Sequence, residues 1–333
     1  VRILGARDLM GILTMEEAID AVATALTEFS AGRADAPTRL AVPVPESHGT
    51  SLFMPALVAR AGGLGVKFVS FFPRNKELGR PAVSGVLVLA DVRTAEPVAL
   101  LEASYLTALR TGAATGLATR LLAREDAHTV AIIGTGGQAP MQLRGIMAVR
   151  DIREVRLYNR NPDKAYRCTR AIAEQLPPGR QPRLVVCLTP EDVVRGADIV
   201  VTATDSLTPV FPAGLVEPGM HLNAIGSFRP TMQELPPGVI SPAAKVVVES
   251  RAVALEESGD LVIPVRSGLF RPEDIHAELG EIAAGKKPGR VSPDEITVFK
   301  SVGLAAMDVV VGRIMYERAV ARGIGQELDL GLS

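Results

Sequence analysis

Residues 129–139 read TVAIIGTGGQA, and no other stretch of the chain restricts its fold as tightly. Four apolar residues, 130–133, run directly into Gly134, Thr135, Gly136, Gly137, Gln138 and Ala139. The spacing Gly134-x-Gly136-x-x-Ala139 matches a strand-to-helix turn that carries a dinucleotide pyrophosphate. In such a turn the first glycine makes the tight bend, and the second lets a phosphate reach the backbone. The small third residue lets the helix pack close to the sheet. The helix N-terminus then offers unpaired N–H groups and partial positive charge. A glycine-rich turn with no ligand is the competing reading. A strand pattern before this turn and a helical pattern after it favour the ligand.

Around this turn the chain alternates short apolar strands with helical stretches. TVAIIG, EVRLYN, RLVVCL, ADIVVTAT, MHLNAIG and KVVVES read as strands; GQAPMQLRGIMAVR and PDKAYRCTRAIAEQL read as helices. That alternation predicts an α/β fold with a parallel, doubly wound Rossmann sheet. Upstream the texture differs. Residues 14–30 predict an amphipathic helix opened by a Thr14/Glu17 capping box. Residues 39–101 predict short strands between Gly, Pro and polar turns, with a hairpin across DVRTAE, and TALRTGAATGLATRLLA predicts a helix. From about Phe299 a long helix is expected, weakened at Gly303 and Gly312. Its packing back on the N-terminal region would make the first domain discontinuous. Two domains suit 333 residues, at roughly 100–200 per domain.

The end of the second strand bears on cofactor choice. It falls near Asn159, about 20 residues beyond Ala139, where an NAD site usually carries Asp or Glu for the ribose 2′-OH. Here Asn159 and Arg160 stand instead, and an arginine suits a 2′-phosphate. NADPH is therefore expected ahead of NADH; the alternative is that Arg160 is a solvated loop charge.

Other chemistries find little support. The charge is balanced, 36 basic against 37 acidic residues, so neither nucleic acid nor an anionic membrane is an expected partner. Cys168 and Cys187 read as buried free thiols. His48, His128, His221 and His276 are scattered without metal spacing, so no metal is expected. No apolar run is long enough to span a bilayer, and no secretory pattern opens the chain. A cytoplasmic location is the default expectation, with a removed leader left open.

Three cations in the first domain stand out: Arg39 before an apolar strand, Lys67 inside GVKFVSFF, and Arg110 in TALRTGAATG. A lysine within an apolar strand is costly unless its charge has a partner. Taken singly, each reads equally as a surface or interface charge, and nothing local makes them converge.

RTGAATGLATRLL, GTGGQA, LYNRN, GADIVVTAT, PGMHLNAIGSFRPTMQEL, ESGDL, IHAELGEI and TVFKSVGLAAMD occur in that order. Together they resemble the ornithine cyclodeaminase/μ-crystallin family over nearly the whole chain. The resemblance implies a Rossmann domain, 118–304, and a discontinuous α+β substrate-binding and dimerisation domain, 1–117 with 305–333, in a homodimer. It implies that Arg39, Lys67 and Arg110 hold a substrate carboxylate, with Lys67 and Arg110 nearest the chemistry. It places Thr111 and Gly112 by the cofactor phosphates and Thr202 and Thr204 along the nucleotide. Ser227, Ser301, Val302 and Gly303 would then lie near the nicotinamide, Ser301 also meeting substrate.

One position departs from the family. Cyclodeaminases and related alanine dehydrogenases carry an aspartate two residues after the glycine of the A-I/V-G segment. Here that position is Phe228, which can neither accept a proton nor hold an ammonium, though it suits an apolar wall against a ring. Glu234, nearby in sequence, is expected to point elsewhere. The resemblance thus favours NADPH-dependent reduction of a cyclic ketimine carboxylate, Δ1-pyrroline-2-carboxylate or Δ1-piperideine-2-carboxylate, to L-proline or L-pipecolate. Its alternatives are a cyclodeaminase, alanine dehydrogenase or related amino-acid dehydrogenase, and a non-catalytic NADPH-binding protein of crystallin type.

Overall fold

The computed structural model describes residues 1–176, 179, 181–240 and 244–331; residues 332 and 333 of the expected first domain lie outside these. It divides into two compact units: residues 1–110 with 304–333, and residues 111–303. The division falls inside one helix, Ala103–Leu122.

In the first unit a seven-stranded sheet is built mainly from antiparallel neighbours Leu40–Val44, Gly49–Val58, Gly63–Phe71, Val83–Ala90 and Pro97–Glu102. Alternation sends Met54, Ala56, Lys67, Leu87 and Leu89 to one buried face. The helices Met15–Ser30 and Ala305–Ala321 cover that face. Thr14 caps the first of them, its hydroxyl accepting from the Glu17 amide while Glu17 accepts from the Thr14 amide. Gly312 lets the second lie flat, because a Cβ there would meet Leu87.

The second unit is an eight-stranded sheet, and every pairing in it is parallel. From one edge the strands run Arg183–Val186, Glu154–Tyr158, Thr129–Ile133, Ile199–Thr202, His221–Ala224, Ile296–Lys300, Ala244–Val248 and Ile275–Glu278. Strand order reverses between Thr129–Ile133 and Ile199–Thr202, and ligands of such sheets bind outside the carboxyl ends at that switch point. One apolar cluster centres on Val200, Leu222 and Val246, and the other on Val130, Ile132 and Leu143.

The final helix begins later than the sequence suggests. Residues 296–300 are a strand, 301–304 a loop, and the helix opens at Ala305. The β-branched and aromatic run ITVFK fills a central place in the parallel sheet, a tertiary demand that local helical period does not reveal. Gly303, at φ +85°, lies before the helix in a conformation no helix allows.

Candidate active site

The buried face of the first unit's sheet carries a charge cluster. Lys67 is almost fully buried and donates from Nζ to Asp308 Oδ2 at 2.7 Å. Arg110 donates from Nε to Asp308 Oδ1 at 3.0 Å. Asp308 is buried in the first turn of Ala305–Ala321, where the helix dipole favours a carboxylate. Burial pushes the Lys67 ammonium down to about 8; Asp308 opposes this, while Arg110 and Arg39 push the same way. Burial alone would raise the Asp308 carboxyl, but Arg110 and Lys67 outweigh it and hold it below its usual range.

Arg39, Lys67 and Arg110 thus share one electrostatic neighbourhood, with Asp308 bridging Lys67 and Arg110. A guanidinium and an ammonium gathered in this way suit a small acid. Sequence reasoning missed Asp308, although its signal was present. A lone carboxylate in the apolar run GLAAMDVVVG calls for a buried partner for the same reason Lys67 does.

In the second unit, the turn after Thr129–Ile133 has the shape its sequence predicts. Gly134 sits at φ +99°, and a Cβ there would overlap the Ala203 carbonyl oxygen. Gly136 and Gly137 are different: both are exposed, and an added Cβ would meet nothing within 4 Å. The glycines at 136 and 137 therefore leave a cradle that the protein itself does not fill. Helix Ala139–Met147 opens there with Pro140 in its first turn and no side-chain cap; its Ala139 and Met141 amides bond to the Gly136 and Gln138 carbonyls, and the positive end of its dipole faces the turn. Gln138 is the residue before that helix, and its side chain accepts from Gln142. Ala139 is fully buried beneath the turn. The Thr202 hydroxyl, at the end of the neighbouring strand, is buried without a hydrogen-bond partner. Open backbone at Gly136 and Gly137, a helix N-terminus and an orphaned hydroxyl at a switch point fit a dinucleotide.

The other expected site residues divide by what they touch. Asn159 donates to the Thr135 hydroxyl at 3.0 Å and accepts from the Asn161 amide, so it fastens the glycine turn to the second strand end. Arg160 is 84% exposed, with Asp205 4.0 Å away. Thr111 is buried, and Gly112 lies where a Cβ would overlap the Met141 carbonyl, so Gly112 serves a close helix crossing. Ser227 donates to the Met232 carbonyl at 2.7 Å and Ser301 to Glu249 at 2.6 Å, which turns both hydroxyls inward. The Val302 and Gly303 amides also bond to Glu249. Thr204 bonds to Glu234 through its amide and hydroxyl. Phe228 is partly buried, with the Arg229 guanidinium 5.4 Å from its ring centre.

Glu234 corrects an expectation. It does not point elsewhere: its carboxylate turns back onto the Gly226 and Ser227 amides beside Phe228. Cys168 and Cys187 are buried free thiols. Among the described residues no His, Cys, Asp and Glu cluster fits a metal ion, and no helix is long and apolar enough to cross a membrane.

Comparison with known proteins agrees with this geometry. The chain is 47% identical to a Delta(1)-pyrroline-2-carboxylate reductase of Bacillus cereus, over 98% of this chain and 99% of the relative. The structure of Thermococcus litoralis Delta(1)-pyrroline-2-carboxylate reductase in complex with NADH and L-proline superposes with a TM-score of 0.94. It is 36% identical and covers 98% of this chain and 100% of that one. An archaeal alanine dehydrogenase dimer with bound NAD gives 0.91 at 35% identity, over 99% of both chains. With residues 2–323 also matching its sequence profile, this chain belongs to the Ornithine cyclodeaminase/mu-crystallin family.

Proposed function

We propose that this protein reduces a cyclic ketimine carboxylate, Δ1-pyrroline-2-carboxylate before Δ1-piperideine-2-carboxylate, to the corresponding L-imino acid. It is an oxidoreductase acting on a C=N bond with a nicotinamide dinucleotide. The observation that carries this reading is the buried pair of cations Lys67 and Arg110 joined by Asp308, with Arg39 in the same electrostatic neighbourhood, in a chain whose second unit has a dinucleotide cradle.

When bound, reduced nicotinamide supplies the hydride that the imine carbon accepts. The protein's own part is positioning and charge. Arg110 offers a planar guanidinium to the carboxylate. Lys67 adds a second charge and, with its proton held at about 8, a proton for the imine nitrogen. Phe228 stands where the cyclodeaminases carry an aspartate, and it supplies no group to take a proton from a free amine. That absence separates this reading from ornithine cyclodeamination and alanine dehydrogenation.

The nucleotide proposed is NADPH. Asn159 offers no carboxylate to a ribose 2′-OH, and its side chain is already bonded to Thr135 and Asn161. Arg160 is exposed, as a partner for a 2′-phosphate must be.

The test is a panel of both imines, pyruvate with ammonia, and ornithine, each run with NADPH and NADH and followed by nicotinamide absorbance. The imines should consume reduced nucleotide, with kcat/KM higher for NADPH. Ammonia-dependent consumption with pyruvate, and none with either imine, would give the activity to the dehydrogenase reading. A protein that binds NADPH and turns over nothing in the panel would be the crystallin-type alternative.

A pH dependence follows from Lys67. Its ammonium is charged below about 8 and neutral above. The kcat/KM for the imine acid should therefore fall as pH rises through about 8. In Asp308→Asn the carboxylate that favours the charged lysine is gone, so the break should move to lower pH. A break that stays in place in this variant would assign it to the imine and not to Lys67.

The protein is also proposed to be a homodimer. Leu40, Phe53 and Phe68 are exposed cross-strand neighbours on the uncovered face of the first unit's sheet, with the two rings 5.0 Å apart. Apolar patches of this kind mark interaction sites, and the archaeal relative is a dimer. Phe53→Lys with Phe68→Lys should halve the mass found by light scattering; a parental protein already at the monomer mass would contradict the proposal.

A further inference from the structure

We propose that Glu234 is a positioning residue for the nicotinamide half of the nucleotide site, one carboxylate that fixes the loops leaving two adjacent strands of the parallel sheet. The assignment of these loops to the nicotinamide half rests on the function proposed above.

Glu234 is fully buried and takes four hydrogen bonds. Oε1 accepts from the Thr204 amide at 2.6 Å and the Thr204 hydroxyl at 2.8 Å. Oε2 accepts from the Gly226 amide at 2.6 Å and the Ser227 amide at 3.2 Å. Thr204 follows the strand Ile199–Thr202, and Gly226 and Ser227 follow its neighbour His221–Ala224. These loops leave the carboxyl ends of the strands, the side where such sheets hold ligands. They touch closely, for a Cβ on Gly226 would overlap Thr204 backbone and sit 2.6 Å from Glu234 Oε1.

The staple is itself anchored. Asp260 Oδ1 accepts from the Glu234 amide at 2.7 Å and the Leu235 amide at 2.9 Å. Lys300 lies 3.2 Å from Asp260 and donates to the Ala224 carbonyl at 3.0 Å. Burial pushes the Glu234 carboxyl up, an effect Lys300 opposes and Asp260 reinforces. Burying a carboxylate is costly, and an apolar core of the same volume would avoid that cost. Only an acceptor on both oxygens satisfies three loop amides and a hydroxyl together, and it holds them in one geometry before the cofactor arrives.

Glu234→Gln separates positioning from mere structural support. Whichever way the amide turns, its NH2 faces at least one backbone N–H that can only donate. The reading predicts that ADP, which probes the glycine turn alone, binds the variant within threefold of the parent. Imine kcat with saturating NADPH should fall at least 30-fold, in protein whose circular dichroism is unchanged. A kcat within twofold of the parent, or ADP affinity lost in step with kcat, would overturn it. Should the variant not fold, amide exchange on the parental protein without ligand decides. Thr204, Gly226 and Ser227 amides exchanging as slowly as the sheet support the staple, and exchange at open-loop rates refutes it. Failure of the parental protein to reduce either imine would count against the proposed function, while this exchange result would still read the staple.

Discussion

Gly136→Ala is expected to lower dinucleotide affinity about 100-fold, roughly 2.7 kcal/mol, while shifting the melting temperature by no more than about 2 °C. Two independent facts lead there. Gly136 is exposed, outside the positive-φ set, and a Cβ on it meets no protein atom within 4 Å, so the apo protein has no use for a glycine at this position. The turn carrying it sits at the N-terminus of helix Ala139–Met147, whose dipole favours a phosphate there. Gly134→Ala makes the contrast. At φ +99° and against the Ala203 carbonyl, that substitution strains the backbone itself, so stability should fall by about 1–3 kcal/mol along with binding. If Gly136→Ala binds NADPH as the parent does, the pyrophosphate does not cross this residue.

Arg110→Ala is expected to reduce imine kcat/KM by roughly 30- to 5000-fold, from the 2–5 kcal/mol that truncating one member of a buried charge pair costs. Arg110 carries two duties. It shares Asp308 with Lys67, and it is the only one of those two cations with a flat face to match a carboxylate. Its loss leaves Asp308 one close partner and makes the cluster less positive, so KM rises more than kcat falls. Arg110→Lys keeps the charge and loses the fork, and should recover part of the activity. The comparison requires folded protein, so melting curves belong beside the kinetics. Parental KM in a folded Arg110→Ala variant would remove the cluster from substrate binding.

How far these sites were legible in the sequence depends on the range of the forces involved. The glycine turn is a local object: its strand, bend and helix start are set by neighbours within a dozen residues, and the chain spells them out. The hairpin between Val83–Ala90 and Pro97–Glu102 and the capping box at Thr14 are local in the same sense. Lys67 was suspicious alone because an apolar strand gives an ammonium no partner. Its actual partner lies 241 positions away, and no local rule reaches that far. Strand Ile296–Lys300 is missing from the strands the sequence suggests, because its identity comes from neighbours on both sides, His221–Ala224 and Ala244–Val248. Glu234 misled for another reason. Sequence proximity to Phe228 was visible, but the direction of the side chain is set by the amides of Thr204, Gly226 and Ser227 and by Asp260 beneath.

The central event proposed is transfer of hydride to the carbon of an imine whose carboxylate Lys67 and Arg110 would hold. Reduced nucleotide deuterated at nicotinamide C4 in the transferred position follows that event directly, with Δ1-pyrroline-2-carboxylate as acceptor and mass spectrometry of the product as readout. The expected product is L-proline with one deuterium on its α-carbon, formed in step with nucleotide oxidation and slowed in Arg110→Ala. Nucleotide that stays reduced beside the imine, or proline formed without the label, would contradict it.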